Sequence, residues 1–332
     1  MRAPLKPCLL LAICLTVVSG LSRAAALEYP DKPVRLVVPF APGGGTDIVA
    51  RIVAQKLTEV WEKQVVVDNR GGAGGVIGTE MVARAPANGY TILFGAQSTL
   101  AMNPAVYRNL KFEPVRDFTP VTLVAYSLQL LAVHPGIPAK SLGEFIAAAK
   151  AAPGKWTYGS SGVGTSAHLT FELFKREAGI SLVHVPYKGT APAITDLLGG
   201  QIQAIIGSTA ALLQHVRSGR LRAIAMTSGN RSTAMPQVPT MAESGLPGFN
   251  VSPWFGLLYP AGTPKTIVNA LYSDMRKILN SPDTRQKIAD QGGEPALSDS
   301  PRQFAAYVAS ERELWRKVVR ENMSGDAMRI NR

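Results

Sequence analysis

The chain has 332 residues, 46% of them apolar, and a formal charge of +12. That is enough for two ordinary domains, and with no low-complexity tract it excludes a disordered chain. Cys8 and Cys14 both fall in the leader described next, so the remainder can have no disulfide, thiolate nucleophile or cysteine metal site.

Arg2 and Lys6 precede an apolar run, Cys8 to Val18, broken only by Thr16, and Ala24-Ala25-Ala26 then offers a small-residue cleavage pattern. Residues 1–26 therefore read as a secretory signal, too short for a membrane anchor. Ile13 is too large for a lipoprotein cleavage site before Cys14. The positive charges are scattered, without a Lys/Arg block, which speaks against nucleic acid. An exported basic chain suits a small anionic ligand, although an ordinary soluble surface would account for the charge equally well.

Strand and helix signals then alternate, predicting an α/β fold with largely parallel sheets. Val34–Phe40 reads as a strand. "APGGGTD" follows, and a helix runs from Ile48 to Trp61. Val65–Asp68 is a strand, "NRGGAGG" a loop, Val76–Arg84 a helix and Thr91–Gly95 a strand. Residues 128–134 form a buried strand, and Ser141 with Glu144 opens a helix as a capping box. "TYGSSGVGTSAHLTFELF" and "LVHVPYKGTAPAITDLLGG" each read as strand, small-residue turn and helix. "QAIIGS" and "RAIAMTS" are strands flanking a helix at 210–218. Residues 228–249 read as a surface connection, "WFGLLYPAG" as a buried strand, Thr263-Pro264 as the start of a helix to Asn280, and 301–320 as a last helix. The strands at 128–134 and 254–259 suggest two crossings between lobes: residues 27–127 with 253–332 make one, residues 128–252 the other, and a cleft lies between them.

Catalytic and cofactor signatures are missing. Neither "GGGTDI" nor "GGAGGVIG" completes a dinucleotide fingerprint, and there is no phosphate-loop, G-x-S-x-G or H-E-x-x-H pattern. His134 and His184 end strands and His215 lies on a helix; His168 sits in a small-residue turn that either lines a cleft or is structural. No metal and no cofactor is expected. What recurs is a Gly/Ser/Thr loop entering a helix, at 41–47, 71–76, 160–166 and 188–193. Helix N-termini present unpaired N–H groups and partial positive charge, so they hold carboxylates without Arg or Lys. Two such loops per lobe imply an anion held rather than transformed. An exported hydrolase using Ser161 or Ser166 with His168, or a sensor domain for a membrane signalling partner, is the alternative.

The segments "YPDKPVRLVVPFAPGGGTDIVAR", "VVVDNRGGAGGVIGTEMVARAPANGYTILFG", "HLTFELFKREAGISLVHVPYKGTAPAITDLLGGQIQA", "LRAIAMTS" and "WFGLLYPAGTPKTIV" resemble, in order and across nearly the whole mature chain, the substrate-binding receptors of tripartite tricarboxylate transporters, also called Bordetella-uptake-gene receptors. The resemblance implies a two-lobed periplasmic binding protein of type II, acting as a monomer that delivers an organic anion, usually a carboxylate or dicarboxylate, to membrane permease subunits. It implies that backbone amides and ordered water near Phe40, Ala41, Gly43, Gly44, Thr46 and Asp47 hold one carboxylate. From the second lobe it implies Ser160, Ser161, Gly162, Thr165, Ser166 and His168, with Tyr187, Lys188 and Gly189. Gly95, Gln97, Ser98, Ser208 and Thr209 complete the cleft. Many such receptors carry an acid near position 207 or 208, where Gly207 and Ser208 stand here; its absence disfavours an amino-acid ligand. Trp254 reads as core rather than cleft.

Overall fold

A computed structural model describes residues 29–107 and 109–322; the expected signal at 1–26 lies outside them. Two mixed sheets carry the fold. The first comprises β1 (Val34–Val38), β2 (Val65–Asn69), β3 (Thr91–Ala96), β4 (Phe118–Ser127), β10 (Trp254–Pro260) and β11 (Gly293–Pro295), in the order β11-β4-β10-β3-β1-β2. The second comprises β5 (Gln129–Val133), β6 (Thr157–Ser160), β7 (Val183–Pro186), β8 (Ala204–Ser208) and β9 (Arg222–Met226), in the order β7-β6-β8-β5-β9. Helices α1 (Gly45–Trp61), α2 (Val76–Ala83), α3 (Asn103–Val106), α8 (Lys265–Asn280), α9 (Pro282–Asp290) and α10 (Pro301–Asn322) accompany the first sheet. Helices α4 (Leu142–Ala151), α5 (Ser166–Ala178), α6 (Thr190–Leu198) and α7 (Thr209–Arg217) accompany the second. No helix among the described residues is long and apolar enough to cross a membrane.

The expectation of largely parallel sheets needs correction. β1 is parallel to β2 and β3, and β6 to β7 and β8, but β10 runs antiparallel to β3 and β4, β11 to β4, and β5 to β8 and β9. Parallel neighbours need a crossover connection. Only Leu128 separates β4 from β5, so β5 enters the second sheet straight from the first rather than through such a crossover, and it runs antiparallel to both its neighbours.

The α1 register follows from its apolar spacing: Val49, Val53 and Leu57 are at most 2% exposed, each burial favouring the fold by about 1.5–3 kcal/mol. Its buried stripe is narrower than the sequence suggests, since Val60 is 46% exposed. Ser141 caps α4 by accepting from Glu144 N–H at 3.3 Å, while the Glu144 carboxylate accepts from Lys140 N–H at 2.7 Å. Residues 228–249 are more than a surface connection. Met235, Val238, Met241 and Phe249 are buried, and Thr227 Oγ1 donates to Val251 O at 2.9 Å. One apolar cluster spans both sheets' territory: Met102 and Val106, with Trp315 and Val319 of α10, share it with Leu131, Phe171 and Phe249.

Candidate functional site

Between the sheets lies a cavity on which several helix starts converge. Phe40, Ala41, Gly44, Gly45 and Thr46 reach it from the entry to α1, and Gln97 and Ser98 from the end of β3. Ser161, Thr165 and Ser166 contribute from the entry to α5, Thr190 from α6 and Ser208 from α7. Among the described residues no charged side chain lines it. The starts differ in dress. Gly44 and Gly189 precede α1 and α6 without a side-chain cap. Thr165 Oγ1 accepts from His168 N–H at 3.5 Å, and Ser208 Oγ from Ala211 N–H at 3.4 Å. In α1 the first N–H groups therefore have neither an intrahelical nor a side-chain acceptor.

The two sides touch. A Cβ at Gly45 would stand 2.6 Å from Ser208 Cβ, and one at Gly189 would stand 2.7 Å from Ala41 Cβ. Only bare backbone fits such an approach. Tyr107 Oη donates across the gap to Val163 O at 3.0 Å. Gly162, Tyr187 and Lys188 line an outer chamber with Gly72–Gly75 and Tyr107, and Phe40 and Ser161 face both spaces. The glycine loop at 71–76 thus opens on the outer chamber, not on the inner cavity. Burial, and then a 2.6 Å bond to Asp196, push the Tyr187 hydroxyl up to about 12.

Other expected residues form the frame behind the wall. Asp47, 3% exposed, turns away from the cavity and accepts from Gly43 N–H (3.0 Å), Arg51 Nε (3.0 Å) and Asn69 Nδ2 (2.9 Å). Burial alone would raise its carboxyl; those donors outweigh it and hold the pKa below the ordinary value. Gly43, at φ +83°, aims its N–H at that carboxylate. His168, 4% exposed, accepts from Gly164 N–H through Nδ1 at 3.2 Å and stacks on His184 at 4.2 Å. Burial pulls His168 down to about 4 and His184 to about 3. Ser160, fully buried, contacts His184 Nε2 at 2.7 Å and accepts from Gly162 N–H. Gly95 packs between Leu100 and Leu258, and Thr209 N–H donates to Leu128 O at 2.7 Å. Neither Ser161 nor Ser166 has an imidazole beside it on the cavity wall, and Ser166 Oγ accepts from Gln129 Nε2 at 3.1 Å.

The sequence reading placed the crossing strands but not their part in the cavity wall. Ser127, Gln129, Pro253 and Phe255 all line the cavity, as does Trp254, which is also fully buried. Trp254 Nε1 donates to Glu311 Oε2 at 3.0 Å, and Gln97 Nε2 donates to the same oxygen. Among the described residues no group of His, Cys, Asp or Glu is arranged to hold a metal ion.

The family described as "Tripartite tricarboxylate transporter family receptor" matches residues 49–323, which takes in strands of both sheets. Protein BugT of Bordetella pertussis is 41% identical over 298 residues, 90% of this chain and 91% of that protein. A solved structure described as R. palustris Rpa4515 with adipate is 37% identical, with a TM-score of 0.86 over 88% of this chain and 97% of that one. MatC (Rpa3494) from Rhodopseudomonas palustris with bound malate is 31% identical, with a TM-score of 0.83 over 88% and 100%. A match running from α1 to the last described helix, on a fold shared with solved periplasmic binding proteins, leaves one assignment: this chain belongs to the receptor family of tripartite tricarboxylate transporters.

Proposed function

We propose that this chain is a periplasmic receptor that captures a small organic acid through its carboxylate and presents it to membrane permease subunits of a tripartite transporter. The observation that carries this reading is the convergence of the starts of α1, α5, α6 and α7 on a cavity that no charged side chain lines among the described residues. Partial positive poles enclosed together repel one another, and a bound anion relieves that repulsion. The printed ligands of two relatives, adipate and malate, support the same class. In this reading residues 27–127 and 253–332 form one lobe and 128–252 the other, and the ligand bridges them. Neutral walls with no imidazole favour binding over the hydrolase alternative.

The test is mass spectrometry of the denatured, freshly purified protein for a released acid, followed by thermal unfolding against a panel of mono-, di- and tricarboxylates. A ligand that binds only the folded state, present at 100-fold its Kd, adds about 2.7 kcal/mol, and the melting temperature rises by several degrees. No released acid and no shift from any member of the panel would overturn the reading.

A further inference from the structure

Gln97 stands on the cavity wall, 5% exposed, where β3 gives way to the π-helical turn Ser98–Met102. Its Nε2 donates to the Glu311 carboxylate on α10, which also takes the Trp254 indole N–H. A carboxylate only accepts, so this pairing settles which end of the amide is which: turned over, the amide would set oxygen against oxygen. The other end, Gln97 Oε1, is buried and has no partner among the described residues. A buried acceptor left unpaired costs free energy that a donor returns. Across the cavity Gln129 likewise spends its Nε2, on Ser166 Oγ, and its Oε1 has no partner among the described residues. A hydroxyl can serve in either direction, so the orientation argument rests on Gln97.

We propose that Glu311, by fixing Gln97 with its carbonyl oxygen left over for the ligand, makes the cleft select a carboxylate that also bears a hydroxyl group. This rests on the carboxylate reading above and goes one step further. The helix starts supply donors for the carboxylate, and Gln97 supplies the acceptor that a plain acid cannot use. A hydroxyl suits it better than an ammonium group, because among the described residues no carboxylate lines the cavity to balance a buried cation. Gln97 is thus a specificity residue and Glu311 a positioning residue that acts through it.

The experiment is titration calorimetry on protein dialysed until mass spectrometry detects no bound acid. The probes are matched pairs: 2-hydroxysuccinate against succinate, 2-hydroxyglutarate against glutarate, and 4-hydroxybenzoate against benzoate, with 2-aminosuccinate as the ammonium control. In at least one pair the hydroxy acid binds about 10-fold more tightly. For that pair, Gln97→Met brings the ratio close to one. Glu311→Gln, whose amide lets Gln97 turn over, lowers the ratio while the melting temperature stays within a few degrees. The proposal is overturned if every plain acid binds as tightly as its hydroxy partner, if 2-aminosuccinate binds better than 2-hydroxysuccinate, or if Gln97→Met keeps the ratio. If none of these acids binds although the purified protein had released a different one without a hydroxyl, only this proposal falls; if it had released none and the wider panel gave no shift, the carboxylate reading falls with it.

Discussion

The entry loops of α1 and α5 solve one problem by different means. Each must expose backbone to the cavity without collapsing, and each is braced from behind through a single glycine N–H. In the first loop the brace is a carboxylate, Asp47 on Gly43, and the helix start beyond it is left uncapped. In the second the brace is an imidazole, His168 on Gly164, and Thr165 caps the helix. An uncapped start has N–H groups to give away; a capped one has already given part of its supply to its own chain. The first loop is therefore built to grip, and the second to be a firm, hydroxyl-bearing face for it to close upon.

The sharpest way to break this contrast is Gly45→Val. A side chain there meets Ser208 at a distance no contact tolerates, so the α1 start can no longer seat against the α7 start. Ligand affinity measured by calorimetry should fall about 1,000-fold, roughly 4 kcal/mol, while far-UV circular dichroism is unchanged. Retained affinity would mean that the close approach is not part of the bound form.

Acid should separate the two braces. His168 is held below its ordinary pKa of 6.5, at about 4, so between those values the unfolded chain binds a proton that the folded chain does not. Stability then declines as pH falls from about 6.5 to about 4, by about 3 kcal/mol from this group, and the stacked His184, held at about 3, carries the decline on to lower pH. Asp47, also lowered, adds its own loss only as pH drops below the ordinary carboxylate value. Thermal unfolding across that range should show the earlier decline, and His168→Gln should lessen it, leaving the part that belongs to His184.

A smaller change sharpens the contrast. Gly44 has extended backbone (φ −85°, ψ 166°), suited to a capping serine, and a Cβ there would lie 3.4 Å from Thr190 Oγ1. Gly44→Ser should raise the melting temperature by about a degree and weaken binding about 10-fold, because its hydroxyl would occupy an N–H meant for the ligand.

The loop-and-helix units were legible in the sequence because their signals are local: small residues, then apolar residues at helical spacing. β4 was not, since Pro120 interrupts it; the register with β10 shifts between Leu257 and Leu258, beside Pro120. α9 was hidden because it buries little beyond Thr284 and Ile288. At the site, "APGGGTD" and "GSSGVGTS" announced themselves, but which of their residues face inward did not. Asp47 and His168 look like ligand groups in one dimension and are braces in three. Ser127, Gln129, Pro253 and Phe255 reach the cavity only because two crossing strands pass beside it, and Glu311 meets Gln97 from 214 positions away. No window along the chain contains that pairing.

α10 carries Glu311 against Gln97, and one to two turns further on sets Trp315 and Val319 into an apolar cluster shared with Leu131 and Phe171. The rod that presets the chemistry of one wall thus ends in packing that both halves of the molecule share. If the halves swing apart, Trp315 and Val319 lose the part of their packing that the second half supplies unless the end of α10 moves with it. Recognition and hinge motion share a component here, and a change in either is felt by the other.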